Sequence, residues 1–81
     1  MKKVYKFSAT WCPPCKRLSE NLRDVESPIQ IEEIDIDQNN ELPRKFNIHG
    51  IPTMVIVEND IELKRKSGPM TAKEYLEWVN S

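Results

Sequence analysis

Hydrophobic positions along this chain change period several times, and each change marks an element. Val4, Tyr5 and Phe7 form a β-favouring run that predicts a first strand over about Lys2 to Ser8. The spacing then becomes helical. Cys15, Leu18, Leu22 and Val25 fall along one stripe, so a first helix is expected from about Pro13 to Glu26, where Ser27-Pro28 stops it. A second strand lies within Ile29 to Ile36. Ile29 and Ile31 have the opposite parity to Ile34 and Ile36, so this strand is either bulged at Glu32-Glu33 or paired only through its second half, and the latter is preferred.

Asn39 or Asn40 can cap a short helix through Phe46, with Pro43 in its first turn and Asn47 as terminator. Thr53 to Val57 is apolar on both faces, as a central strand should be, and Asn59-Asp60 turns the chain into an antiparallel partner, Ile61 to Lys66. There Ile61 and Leu63 alternate with Glu62 and Lys64. This predicts an edge strand with one wet face, on which Lys64-Arg65-Lys66 blocks pairing with other chains. Thr71-Ala72-Lys73-Glu74 reads as a capping box opening a last helix, with Met70 stapled onto Tyr75 and Ala72, Tyr75, Leu76 and Val79 as the buried stripe. The element order βαβαββα is an α/β pattern. A right-handed crossover from the first strand to the second, with the hairpin docked on the other side of the first, gives a four-stranded mixed sheet of order 2-1-3-4 with three flanking helices.

Composition narrows the function. Eighty-one residues leave room for one core, so residues 1–81 are expected to form a single domain. The formal net charge of −1 gives no global reason to expect nucleic-acid or membrane binding, which leaves other proteins as the expected partners of a monomer. Met1-Lys2-Lys3 leads directly into the first strand with no long apolar stretch, so neither a signal peptide nor a membrane span is expected and a cytoplasmic location follows. In a reducing compartment two cysteines close in sequence read as catalytic or metal-binding.

Those cysteines lie in Trp11-Cys12-Pro13-Pro14-Cys15-Lys16, at the junction of the first strand and first helix. At a helix N-terminus the aligned peptide dipoles and free N–H groups stabilise a thiolate, the reactive form of cysteine. Pro13 disfavours helical geometry at Cys12 and so leaves Cys12 at the N-cap, with Pro13 and Pro14 in the first helical positions, where their missing N–H groups cost nothing. The same absence removes two donors from the Cys12 sulfur. The Cys15 N–H becomes the expected local donor, and Cys12 is expected to be acidified without being extreme. Zinc is disfavoured because His49 is the only histidine and no third cysteine exists, whereas a structural site takes about four ligands. A purely stabilising disulfide is disfavoured too, because so short a ring removes little unfolded-state entropy.

With Gly50-Ile51-Pro52-Thr53 before the apolar run Met54 to Val57, the chain resembles the thioredoxin superfamily over nearly all of its length. The resemblance implies that the Ile51-Pro52 bond is cis and lies against the active-site sulfurs, proline being the one residue for which cis is cheap. Gly68 matches a third family glycine, and Asp35-Ile36-Asp37-Gln38-Asn39 resembles the family's strand-to-helix segment. The implied activity is thiol-disulfide oxidoreduction on protein disulfides through a redox-active Cys12-Cys15 disulfide, with no bound cofactor and no metal. Cys12 would be the nucleophile and Cys15 the resolving thiol. Backbone groups around Gly50, Ile51, Pro52, Thr53 and Gly68 would hold the substrate chain as an added strand.

Thioredoxin-like and glutaredoxin-like readings remain open. The short length is similar to glutaredoxins, which glutathione recycles. Trp11, Pro14 and the Gly-Ile-Pro loop are similar to thioredoxins, which a reductase recycles, and Ser67-Gly68-Pro69-Met70 lacks the glycine-rich glutathione contact of the other group. Pro13 departs from the usual glycine. Trp11 is expected either to touch substrate or simply to pack, Lys16 either to favour the Cys12 thiolate or to be solvated, and His49, Arg44 and Lys45 to be ordinary surface groups. Lys6 stands where the family usually has a buried aspartate, and Glu33 where its partner lysine should be. The pair is thus exchanged between strands if the two side chains meet, and both simply reach water if they do not.

Overall fold

A computed structural model describes all 81 residues. The order is β1 (Lys2–Ser8), α1 (Pro13–Leu22), β2 (Gln30–Asp35), α2 (Glu41–Lys45), β3 (Thr53–Glu58), β4 (Ile61–Ser67) and α3 (Ala72–Asn80). The sheet order is β2-β1-β3-β4, with β1 parallel to β2 and antiparallel to β3, and β3 antiparallel to β4. This is the expected four-stranded mixed sheet with three helices.

The sheet is covered on both faces, and that accounts for the parity change in β2. On one face Val4, Met54 and Ile56 pack with Leu18 and Leu22 of α1 and with Tyr75 and Val79 of α3. On the other, Tyr5, Phe7, Val55 and Val57 pack with Ile34 and Phe46. Ile29 and Ile31 join the first cluster and Ile34 and Ile36 the second. The expectation that only the second half of β2 pairs is therefore corrected. Lys3 faces Gln30 and the register continues unbroken to Ser8 opposite Asp35, with no bulge at Glu32-Glu33. A strand that packs apolar side chains against clusters on both faces of the sheet has apolar residues of both parities without any irregularity.

Other boundaries differ for local reasons. Helix α1 ends at Leu22 rather than near Glu26, its last turn tightened by bonds from Arg23 N to Glu20 O and from Val25 N to Leu22 O. Asn40 holds the N-cap position of α2 without a side-chain bond, and the capping oxygen comes from Asn39, whose Oδ1 accepts from the N–H groups of Glu41 and Leu42. Asn47 terminates that helix at φ 55°, and Asn59 and Asp60 turn the hairpin at 52° and 67°. In α3 both arms of the capping box form, and Met70 and Tyr75 share the first cluster.

Strand β4 departs most from its expected pattern. The register shifts between Ile56 and Val57, which face Lys64 and Glu62, so Leu63 is an extra residue and both Ile61 and Leu63 are exposed. Two of the three cations expected to guard this edge are tied inward instead. Lys64 Nζ donates to Trp78 O and, at 2.9 Å, to Ser81 O at the end of α3. Arg65 is held by the Glu62 carboxylate and donates to Phe46 O at 2.5 Å, fastening β4 to the end of α2.

Candidate active site

Four segments meet at one end of the sheet: the residues following β1, the start of α1, the loop before β3 and the residues following β4. Cys12 is the N-cap of α1, with extended backbone at φ −99° and ψ 107°, and Pro13 and Pro14 occupy the first two helical positions. Cys12 and Cys15 are joined as a disulfide with their Cα atoms 5.2 Å apart. Cys15 N donates to Cys12 Sγ at 3.3 Å, the single local donor that the two prolines leave available. Both cysteines are buried, at 4% and 2% exposure. They pack with Ala9, Ile36 and Ile51.

The loop opposite is held from three sides. The Ile51-Pro52 bond is cis, Pro52 is buried, and Ile51 lies against the cysteine cluster. Thr53 Oγ1 donates to Gly50 O at 2.6 Å and lies 3.1 Å from Ser67 Oγ across the β3–β4 pair. Gly68 N donates to Pro52 O at 2.8 Å. Gly68 has φ +87°, a conformation glycine adopts without penalty, so its place after β4 fixes the carbonyl of Pro52. Gly50 is exposed, and a Cβ there would meet nothing within 4 Å, so sterics do not demand glycine at that position.

Trp11 is 63% exposed beside the disulfide, with its indole N–H donating to Asp37 Oδ2 at 2.8 Å. A simple packing role does not describe a ring this open. The sequence offers Asp37 only as part of the Asp35-Ile36-Asp37-Gln38-Asn39 segment, and nothing local marks it as the partner of Trp11. Lys16, His49, Arg44 and Lys45 are all exposed, with Lys45 Nζ over the Phe46 ring.

Lys6 and Glu33 do meet. The parallel register sets them opposite one another, and Lys6 Nζ lies 3.3 Å from Glu33 Oε1. Lys6 is 6% exposed and also donates to Ser19 Oγ, while Ser8 Oγ donates to the same Glu33 oxygen at 3.2 Å. Burying an ammonium costs several kcal/mol unless it is paired and hydrogen-bonded, and here it is both. Ser8 and Ser19 were not picked out from the sequence. Ser19 stands one helical turn beyond Cys15, which places it on the same face of α1. Glu33 and Cys15 line one open cleft of about 640 Å³ between α1 and the sheet.

The thioredoxin family model matches residues 2–81. The chain belongs to the thioredoxin family. It is 34% identical over 79 residues to a thioredoxin of Rickettsia bellii, covering 93% of this chain and 75% of that one. It is also 35% identical over 66 residues to a bifunctional thioredoxin reductase/thioredoxin of Mycobacterium leprae, covering 76% of this chain and 14% of that protein. Among solved structures a mutant thioredoxin from Halobacterium salinarum superposes with a TM-score of 0.86 at 21% identity, covering 98% of this chain and 72% of that one, which speaks for the fold. Family membership together with the disulfide at the helix N-terminus makes the protein a thiol-disulfide oxidoreductase.

Proposed function

We propose that the protein reduces disulfides in other proteins, with Cys12 as nucleophile and Cys15 as resolving thiol, and that a thioredoxin-type reductase returns it to the dithiol state. The observation that carries this reading is Cys12 at the N-cap of α1, its sulfur accepting the Cys15 N–H. An N–H bond and the helix dipole favour the thiolate form of Cys12 over that of Cys15, which lies three positions further into the helix on its buried stripe. The Cys12 thiolate attacks a substrate sulfur, a mixed disulfide forms and one substrate thiolate leaves. Cys15 then attacks Cys12, closing the intramolecular disulfide and releasing the second substrate thiol. The two sulfurs carry both electrons, so the cycle needs no bound cofactor.

Substrate docking is supported by the loop before β3. The N–H and C=O of Ile51 have no partner within the chain, so an extended substrate segment can pair with them as an added strand beside Cys12. The exposed Trp11 ring offers apolar surface on the same side. A reductase partner is supported by the motifs and by the Mycobacterium leprae relative, in which reductase and thioredoxin share one chain by name. The test is reduction of a protein disulfide, run with thioredoxin reductase and NADPH and in parallel with glutathione and its reductase. Turnover is expected with the first system and little with the second; the reverse result reassigns the protein to glutathione-linked chemistry.

A further inference from the structure

Strand β4 and the residue after it fasten the loop before β3 at both ends. The far end is held by Gly68 N on Pro52 O and by Ser67 Oγ against Thr53 Oγ1. The near end follows α2. There Arg65 Nη2 donates to Phe46 O at 2.5 Å, immediately before the left-handed turn at Asn47. The Phe46 ring is anchored in the second cluster, its centroid 5.7 Å from that of Tyr5 and 6.4 Å from that of Phe7. Between the two ends Ile51 presents its unpaired N–H and C=O, so the place of these groups depends on both ends being fixed.

The irregularity in β4 is what aims Arg65 at Phe46. In a regular strand, residues three apart point to opposite faces of the sheet. Glu62 and Arg65 are three apart, yet they pair with Val57 and Val55, which both belong to the second cluster. The extra residue Leu63 returns them to one face, and there the Glu62 carboxylate takes two bonds of 2.7 Å, from Arg65 Nε and Nη2. This two-pronged grip fixes the plane of the guanidinium and leaves the second N–H of Nη2 for the Phe46 carbonyl. Lys64 lies on the other face, opposite Ile56, and its bonds go to Trp78 and Ser81 at the end of α3. We infer that Arg65, held by Glu62 across the bulge, is a positioning residue for substrate docking, fixing the near end of the loop so that Ile51 meets an extended substrate segment beside Cys12. The inference rests on the docking reading proposed for that loop. None of the bonds of Arg65 goes to Cys12 or Cys15, so its effect falls on binding of a polypeptide and leaves the thiol chemistry alone.

Two substrates and one exchange measurement test this. In Arg65→Met the KM for insulin as protein disulfide is expected to rise roughly 5- to 10-fold with kcat near native, because one charge-assisted hydrogen bond no longer supports docking. The rate with a small aryl disulfide, which needs no docked strand, is expected to stay within about 2-fold of native. Glu62→Gln, which weakens the grip without removing the guanidinium, should raise KM less. Lys64→Met breaks the tie to α3 instead, and should lower the urea midpoint without moving KM. Amide hydrogen exchange separates positioning from general loosening. Arg65→Met is expected to speed exchange of Ile48 N–H, which donates to Pro43 O beside the lost contact, at least about 5-fold more than that of Gly68 N–H at the far end. A native KM for insulin in Arg65→Met overturns the inference, as do equal gains in exchange at Ile48 and Gly68 or an equal rise in KM in Lys64→Met. Native protein that reduces the aryl disulfide but not insulin would instead overturn the docking reading beneath it.

Discussion

At the scale of single residues the site rests on an asymmetry between two chemically identical thiols. Cys12 caps the helix and receives a backbone N–H, whereas Cys15 sits on the buried stripe of α1 and gives that N–H up. Attack and resolution are assigned from this difference, and trapping tests it directly. Cys15→Ser is expected to accumulate mixed disulfides with substrate through Cys12, since nothing remains to resolve them, while Cys12→Ser is expected to trap almost none. Mass mapping of the linked peptides checks this, and trapping through Cys15 would exchange the two roles. Much of the site was legible in the sequence, because proline and cysteine carry their geometry with them. Pro13 alone places Cys12 at the N-cap, and Pro52 alone accounts for a cis bond. The residues that were not legible, Asp37, Ser8 and Ser19, act through side chains brought together by the sheet and by α1. No local preference marks such partners in advance.

At the scale of elements, the strong local signals were those whose partners lie a few residues away. The capping box of α3 forms as expected, with Glu74 Oε1 accepting from Thr71 N at 2.9 Å and Glu74 N donating to Thr71 Oγ1 at 3.1 Å. Those signals also make stability depend on acid. The backbone N–H and then the hydroxyl of Thr71 hold the Glu74 carboxyl below its ordinary 4.5, and hydrogen bonds from Arg65 do the same for Glu62. A carboxyl depressed in the folded state binds protons more weakly there than in the unfolded chain. Its contribution is complete above 4.5 and is lost as pH falls through the folded value. Urea midpoints are therefore expected to fall as pH drops below 4.5, and less steeply in Glu74→Gln. Thr71→Ala should cost about 1 kcal/mol at neutral pH by removing the cap. An equal acid slope in native protein and Glu74→Gln would remove the capping box as a cause. Strands were harder to read than helices for a related reason. The parity change in β2 and the outward turn of Ile61 and Leu63 in β4 depend on which faces the helices cover and on one inserted residue, both of them properties of the assembled sheet.

At the scale of the whole molecule, two apolar clusters clamp the sheet from opposite sides, and the cysteine cluster sits at one end of the second. Ile36 and Ile51 belong to both the cysteine cluster and the second cluster, whereas Leu22, two turns along α1 from Cys15, belongs only to the first. Stability and redox geometry should therefore separate under mutation. Leu22→Ala removes a buried side chain from the larger cluster and is expected to cost about 2–5 kcal/mol. That is a large share of the roughly 4–12 kcal/mol by which a domain of 81 residues is stable. Turnover per folded molecule should nevertheless stay close to native, because nothing that touches the sulfurs has moved. Ile51→Ala is only partly buried and should cost less, on the order of 1–2 kcal/mol. It loosens the contact between the loop before β3 and the disulfide, so turnover should fall more than stability does. Denaturant midpoints and disulfide-reduction rates measured on both variants decide the matter. If activity tracks stability in the same proportion for the two, the cysteine site has no mechanical independence from the core, and the division of the molecule into a clamp and a redox end is wrong.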